Sequence, residues 1–210
     1  MRPGQLLDPA ARLRLEATVM ESERNTEGEI VVVVARACDE YGSAGWRLGV
    51  LLAALVFAGL LAFAPPLAGW IYLAAQAAAL AVAHAVARID AVRRLLLARP
   101  LVLERVAARA RHAFAANGLA RTQNRTGILI FVALLERRVV VLADEGIHRA
   151  LDPNENWQQV VDLAVDGLRR GDAVDGLEAA IRRCGEILAR HVPVLGRNPN
   201  ELPNRIVLED

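Results

Sequence analysis

Residues 46–64 read WRLGVLLAALVFAGLLAFA and residues 67–87 read LAGWIYLAAQAAALAVAHAVA, with Arg47 the only formally charged side chain in either run. At about 1.5 Å per residue each run makes a helix of roughly 28–32 Å, the thickness of a bilayer's hydrocarbon core. One continuous helix through both would be about twice too long for any membrane. Between them stand Pro65 and Pro66, which remove two backbone donors in succession and are poorly tolerated inside a helix. The pattern predicts a two-helix transmembrane hairpin over residues 45–87 that reverses at the prolines. Trp46 marks one water interface, and Trp70 with Tyr72 marks the other. Gly49, Ala53 and Ala54 on the first run, with Ala74, Ala75, Ala78 and Ala79 on the second, are small enough to let two backbones pack closely.

The arginines orient the hairpin. Arg36 and Arg47 precede the first run, Arg88, Arg93, Arg94 and Arg99 follow the second, and residues 64–69 carry no charge. Positive charge stays on the cytoplasmic side, so both termini are expected in the cytoplasm, and the first residues lack the apolar core of a secretory signal. Gln76 and His84 are the polar residues within the second run, eight apart and so roughly on one helix face. Two spans line no pore, and the reading for Gln76 is a hydrogen bond to the neighbouring helix, with His84 close to the interface.

Composition excludes several chemistries. A formal net charge of +1 and 4% aromatic residues give no footprint for nucleic acid. All 25 basic residues are arginine, so neither a phosphate-loop lysine nor a Schiff-base lysine exists. Cys38 and Cys184 are isolated, with no CxxC spacing for zinc or a disulfide framework.

The remaining chain reads as one α/β domain in two pieces, residues 1–44 and 88–192, followed by an extended, proline-broken tail over 193–210. Asp8-Pro9 opens a helix running to about Asn25. The run EIVVVVA at 29–35 is a strand apolar on both faces, which requires cover above and below. Residues 88–117 are helical, divided by Pro100, with Val102, Val106, Ala110, Ala113 and Phe114 on one stripe. Two strands, about 127–134 and 138–143, follow with a tight turn at Glu136 and Arg137. Two helices close the domain, one lined by Trp157, Val160, Val161, Ala164 and Leu168. The other opens at a capping Asp172 and is lined by Leu177, Ala180, Ile181, Cys184 and Leu188. The hairpin thus sits in the crossover between the first two strands, and an even number of spans returns the chain to the side it left.

The runs TEGEIVVVVA, RTGILIFVALLERRVVVLADEGIH and NWQQVVDLAVDGLRRGDAVDGLEAAIRRCGEIL resemble the TPM-domain family, and within it the bacterial membrane proteins whose domain is split by a transmembrane hairpin. The likeness spans roughly residues 8–40 and 100–192. It implies a three-layer α/β/α sandwich, here interrupted by the hairpin, and an address in the bacterial inner membrane. It also implies one of two kinds of role. Some relatives are acid phosphatases with divalent-metal sites, while others act in photosystem repair or modulate a membrane receptor without known catalysis. Phosphatase-like members carry a G-x-G-x-E-G turn after the third strand; here the segment is LADEGI, and only Glu145 and Gly146 lie on that pattern.

Topology places the candidate groups. A helical crossover makes the first two strands parallel, and the third runs back against the second. Glu29, Asp144, Glu145 and His148 then share one sheet edge, offering oxygen and imidazole ligands for Ca²⁺ or Mg²⁺ that could hold a phosphate and activate water. The alternative reading has Asp144 capping the helix of His148, and Glu29 exposed and paired with Arg125. Asp39 and Glu40 lie at the opposite edge, beside Arg137 and Arg138. Those two arginines, with Arg93 and Arg94, are expected to face anionic headgroups. No nucleophile stands in a catalytic context. The expectation is a membrane-anchored binding or regulatory module with membrane lipid and a protein partner, the alternative being a divalent-metal-dependent acid phosphatase.

Overall fold

The computed structural model describes residues 3–39, 41–63, 67–152, 155–194 and 200–209. In chain order the elements are α1 (Pro3–Leu6), α2 (Pro9–Ser22), β1 (Glu29–Ala35), α3 (Gly42–Phe63), α4 (Gly69–Val86), α5 (Asp90–Leu96) and α6 (Arg99–Ala116). There follow β2 (Gly127–Ala133), β3 (Arg138–Ala143), α7 (Glu145–Ala150), α8 (Gln158–Arg170), α9 (Ala173–His191) and β4 (Ile206–Glu209). They form two compact units: Met1–Cys38 with Glu104–Asp210, and Asp39–Leu103. Residues 88–103, expected with the sheet, belong to the second unit, where α5 packs against α3.

The first unit is built on a four-stranded sheet of order β3-β2-β1-β4. β1 and β2 pair in parallel from Glu29↔Gly127 to Ala35↔Ala133, and β3 returns antiparallel to β2. Every residue of β1 and β2 is buried, the result expected of strands apolar on both faces. Ile30, Val32, Val34, Ile128, Ile130 and Val132 share one core cluster with Leu15 and Val19 of α2 and with the apolar stripes of α8 and α9. The opposite face carries Val33, Leu129 and Phe131, and α6 contributes the buried Val106, Ala110 and Ala113. The architecture is α/β with helices on both sides of the sheet, as the sequence predicts.

Local chemistry explains the element starts. The Asp8 side chain accepts from the Ala11 N–H at 2.7 Å with Pro9 in the first turn, a side-chain N-cap. Asp172 does precede α9, but its side chain makes no capping bond. Gly167 of α8 and Gly176 of α9 meet so closely that a Cβ on Gly167 would lie 2.4 Å from the Gly176 Cα. Glycine there sets the spacing of the two helices. Cys184 is fully buried in the core stripe, and burial holds its thiol well above the usual range.

The tail departs from its expected role. Ile206–Glu209 forms an edge strand parallel to β1, with Val32↔Ile206 and Ala35↔Glu209 in register. Three remote groups hold it: Glu16 accepts from the Ile206 N–H at 3.1 Å, Arg109 donates to Glu209 Oε2 at 3.0 Å and 2.7 Å, and the Arg36 N–H donates to the Glu209 carbonyl at 2.8 Å. Four residues beside two prolines carry no strand signal of their own, so tertiary partners create this one.

In the second unit α3 and α4 pack antiparallel. Phe57 meets Tyr72 edge-on at 6.2 Å, a Cβ on Gly49 would meet Leu80 and Ala83, and one on Gly45 would meet Ala87. Later positions on α3 thus face earlier positions on α4, as a hairpin requires. The turn assigned to Pro65 and Pro66 lies outside the described residues. Ala79 and Ala83 are the buried alanines of α4, whereas Ala74 and Ala78 face outward, a correction to the packing stripe read from sequence. Within α3 and α4 the segments Gly45–Phe63 and Gly69–Val86 are long and apolar enough to cross a membrane.

Candidate functional site: the two edges of the sheet

At the edge where β1 and β2 begin, Glu29, Gly127 and Asp144 stand on one rung: Glu29 pairs with Gly127, whose carbonyl accepts the Asp144 N–H at 2.9 Å. Two strand spacings put the backbones of Glu29 and Asp144 about 10 Å apart. Glu29 is 1% exposed, and its two carboxylate oxygens accept the N–H groups of Glu201 and Leu202 at 3.0 Å and 3.2 Å. Its expected pairing with Arg125 is therefore corrected, because the tail covers it. Burial outweighs those two donors and raises its pKa.

Asp144 does cap α7, accepting from the Glu145 N–H at 2.8 Å, and its second oxygen stands in an ion pair 2.9 Å from Arg125 Nε. Gly146 is required here, since a Cβ would fall 2.2 Å from the Asn124 carbonyl oxygen. Exposed Glu145 turns to Arg149, one helical turn on, and that ion pair lowers its pKa. His148 is exposed, with its backbone N–H on the Asp144 carbonyl at 3.1 Å. The structure thus engages each acid separately, and among the described residues no three His, Cys, Asp or Glu side chains gather as a metal-holding group. The donor set expected for Ca²⁺ or Mg²⁺ is not assembled.

Sequence reasoning missed Glu23. Its side chain is 3% exposed and its Oε1 accepts the Ile30 N–H at 2.6 Å, beyond the reach of β4 along β1. Burial raises its pKa to about 8, with the charge of Glu29 adding and the Ile30 donor opposing. A glutamate ending a helix, seven residues before the strand amide it satisfies, leaves no pattern to read.

The opposite edge is basic. Arg36 follows β1, Arg137 sits in the β2–β3 turn and Arg138 opens β3; all three are exposed. The Arg36 carbonyl accepts the Leu135 N–H at 2.9 Å, and Arg138 pairs with Ala133, itself paired with Ala35. Nearby Glu136 is buried and accepts the Cys38 N–H at 2.8 Å, while burial and that carboxylate push the Cys38 thiol up to about 12. Arg93 and Arg94 lie half-buried on α5, in the other unit. In that unit Gln76 is half-buried, its Nε2 reaching no acceptor among the described residues, and His84 is exposed in the last turn of α4.

With the geometry established, comparison is informative. Residues 93–187 match the TPM domain family. That part of the chain is similar to a TPM domain. The solved structure of the BA42 protein from the psychrophilic bacterium Bizionia argentinensis is similar, with a TM-score of 0.59 at 18% identity, covering 96% of this chain and 94% of that one. At such identity the likeness is one of fold. No curated protein sequence matches the chain. The matched segment runs from α5 into α9, and β1, which lies outside it, pairs in parallel with β2 inside it.

Proposed function

We propose that this chain is a bacterial inner-membrane protein in which a two-pass hairpin anchors a cytoplasmic TPM domain that binds or regulates a protein partner near the membrane. The observation that carries the reading is the parallel pairing of β1 with β2 across the hairpin. Two strands of one sheet must lie on one side of a membrane, and two spans return the chain there. Exposure supports the anchor: Trp46, Leu55, Phe63, Trp70 and Leu73 are 62–91% exposed, a surface fit for lipid rather than water. The arginines flanking the spans support cytoplasmic termini. A binding role is favoured over metal-dependent phosphate hydrolysis because Glu29 is covered by the tail and Asp144 is held by Arg125.

The test is sidedness and turnover together. In a cysteine-free background Ala68→Cys is expected to react with an impermeant maleimide added outside intact cells, and Asn204→Cys only after lysis. Labelling of Asn204→Cys from outside would overturn the topology. Hydrolysis of a chromogenic phosphate ester that needs Ca²⁺ or Mg²⁺ and disappears in Asp144→Ala would replace the binding reading with the phosphatase. Cross-linking in the native membrane should recover a distinct partner, and recovery of none would count against a binding module.

A further inference from the structure

We propose that Arg36, Arg137 and Arg138 form a surface that holds anionic phospholipid headgroups of the membrane the hairpin crosses. This rests on the membrane reading above. The sheet brings the three guanidinium groups to the end of β1, β2 and β3 through the Leu135–Arg36 hydrogen bond and the Arg138–Ala133–Ala35 rung. Arg109, which reaches this edge through Glu209, is engaged by it. Arg36, Arg137 and Arg138 form no ion pair among the described residues, and all three are exposed. Of the acids in the sheet unit at this edge, Glu136 is buried on the Cys38 N–H and Glu209 is bound to Arg109.

Backbone conformation sharpens the point. Arg137 has φ +53°, and its N–H closes a turn on the Leu134 carbonyl at 3.3 Å. That left-handed position disfavours any residue with a Cβ and is normally given to glycine or asparagine. A strained arginine pointing to solvent is a feature the fold does not require. The chain leaves the sheet unit from this same edge at Cys38 and enters its first apolar span at Gly45. The nine residues after Arg36 reach at most about 30 Å, so a bilayer entered at Gly45 keeps these charges within that tether. Anionic headgroups are the partner that matches: single negative charges, dense in a plane, presented to guanidinium forks.

The experiment uses the full chain in nanodiscs of phosphatidylcholine alone or with about one-third phosphatidylglycerol, where each arginine is worth about five-fold in association. Hydrogen exchange of the 134–138 amides is expected to slow by about five-fold or more in the anionic discs. The slowing should vanish in 1 M salt, where the screening length is about 3 Å, and in the Arg36→Gln/Arg138→Gln double variant. Arg137→Gly, which suits the turn, should weaken it too. Exchange of the buried β1 and β2 amides reports that each variant is folded. Should a variant fail to fold, the lipid and salt comparisons on the native chain still decide. Equal exchange in the two discs, or slowing that survives in the folded double variant, would overturn the inference while leaving the anchor intact. Inorganic phosphate reproducing the slowing in neutral discs would also overturn it, as a free-anion site. A chain that does not remain with either disc defeats the membrane reading and this surface with it.

Discussion

β1 and the α3–α4 hairpin are both predominantly apolar, β1 chiefly through isoleucine and valine and the hairpin through leucine, alanine and valine, yet they meet opposite surroundings. All seven residues of β1 are buried, whereas Phe63 at the end of α3 is 91% exposed and Leu61 is 61% exposed. Composition therefore does not decide where an apolar side chain goes; the presence of a second apolar layer does. In the sheet unit α2, α8 and α9 supply that layer, so the hydrophobic effect and close packing act within the protein. In the hairpin only a narrow seam, with Gly49 against Ala83, is closed by protein. The rest of its apolar surface is left exposed.

The comparison is open to direct challenge. Ile181→Ala, at a fully buried core position, should cost about 2–5 kcal/mol in denaturant unfolding of the detergent-solubilised chain. Leu61→Ala on the hairpin should cost almost nothing in the same assay. Equal losses at the two positions would erase the distinction. Gly167→Ala should come next, at about 1–3 kcal/mol, because the new methyl would have to push α8 off Gly176. Differential scanning calorimetry reads that loss.

Glu23 makes the sheet unit sensitive to pH. Its folded pKa of about 8 lies above the ordinary value of 4.5, so the native state holds the proton more tightly than the unfolded chain does. The stability it contributes is complete below about pH 4.5 and fades as pH rises through about 8. The slope from this one group is at most about 1.4 kcal/mol per pH unit. Glu23→Gln keeps an oxygen for the Ile30 N–H, so stability measured from pH 5 to 8 should lose that slope. An unchanged slope would assign the dependence elsewhere. A smaller gain is expected of Arg137→Gly, which should stabilise the sheet unit by about 1 kcal/mol through relief of the left-handed turn, read as a rise in melting temperature. A fall would show that the arginine side chain supports the turn.

The chain's periodicities were sufficient for much of this. Strands 29–35, 127–133 and 138–143, the parallel crossover and the α8 and α9 stripes follow from local pattern, because each is a repeat of apolar residues with period 2 or 3.6. The two long apolar helices follow from length and the absence of charge. Asp144 was legible as a cap because an acid before a short helix is a local signal. Glu29 was legible as an acid at the edge but not as a buried one, since what buries it lies more than 170 residues away in sequence.

By itself, then, the sequence determined three of the four strands, the two long apolar helices and that one sheet is assembled from both sides of an apolar excursion. Only tertiary structure decided that Ile206–Glu209 becomes the fourth strand, that Glu23 caps the β1 edge, and that Arg36 joins Arg137 and Arg138. The physical reason is common to all three. Backbone periodicity is written in neighbouring residues, whereas a hydrogen bond from the Ile206 N–H to Glu16 or from the Ile30 N–H to Glu23 exists only once packing brings separate elements within about 3 Å.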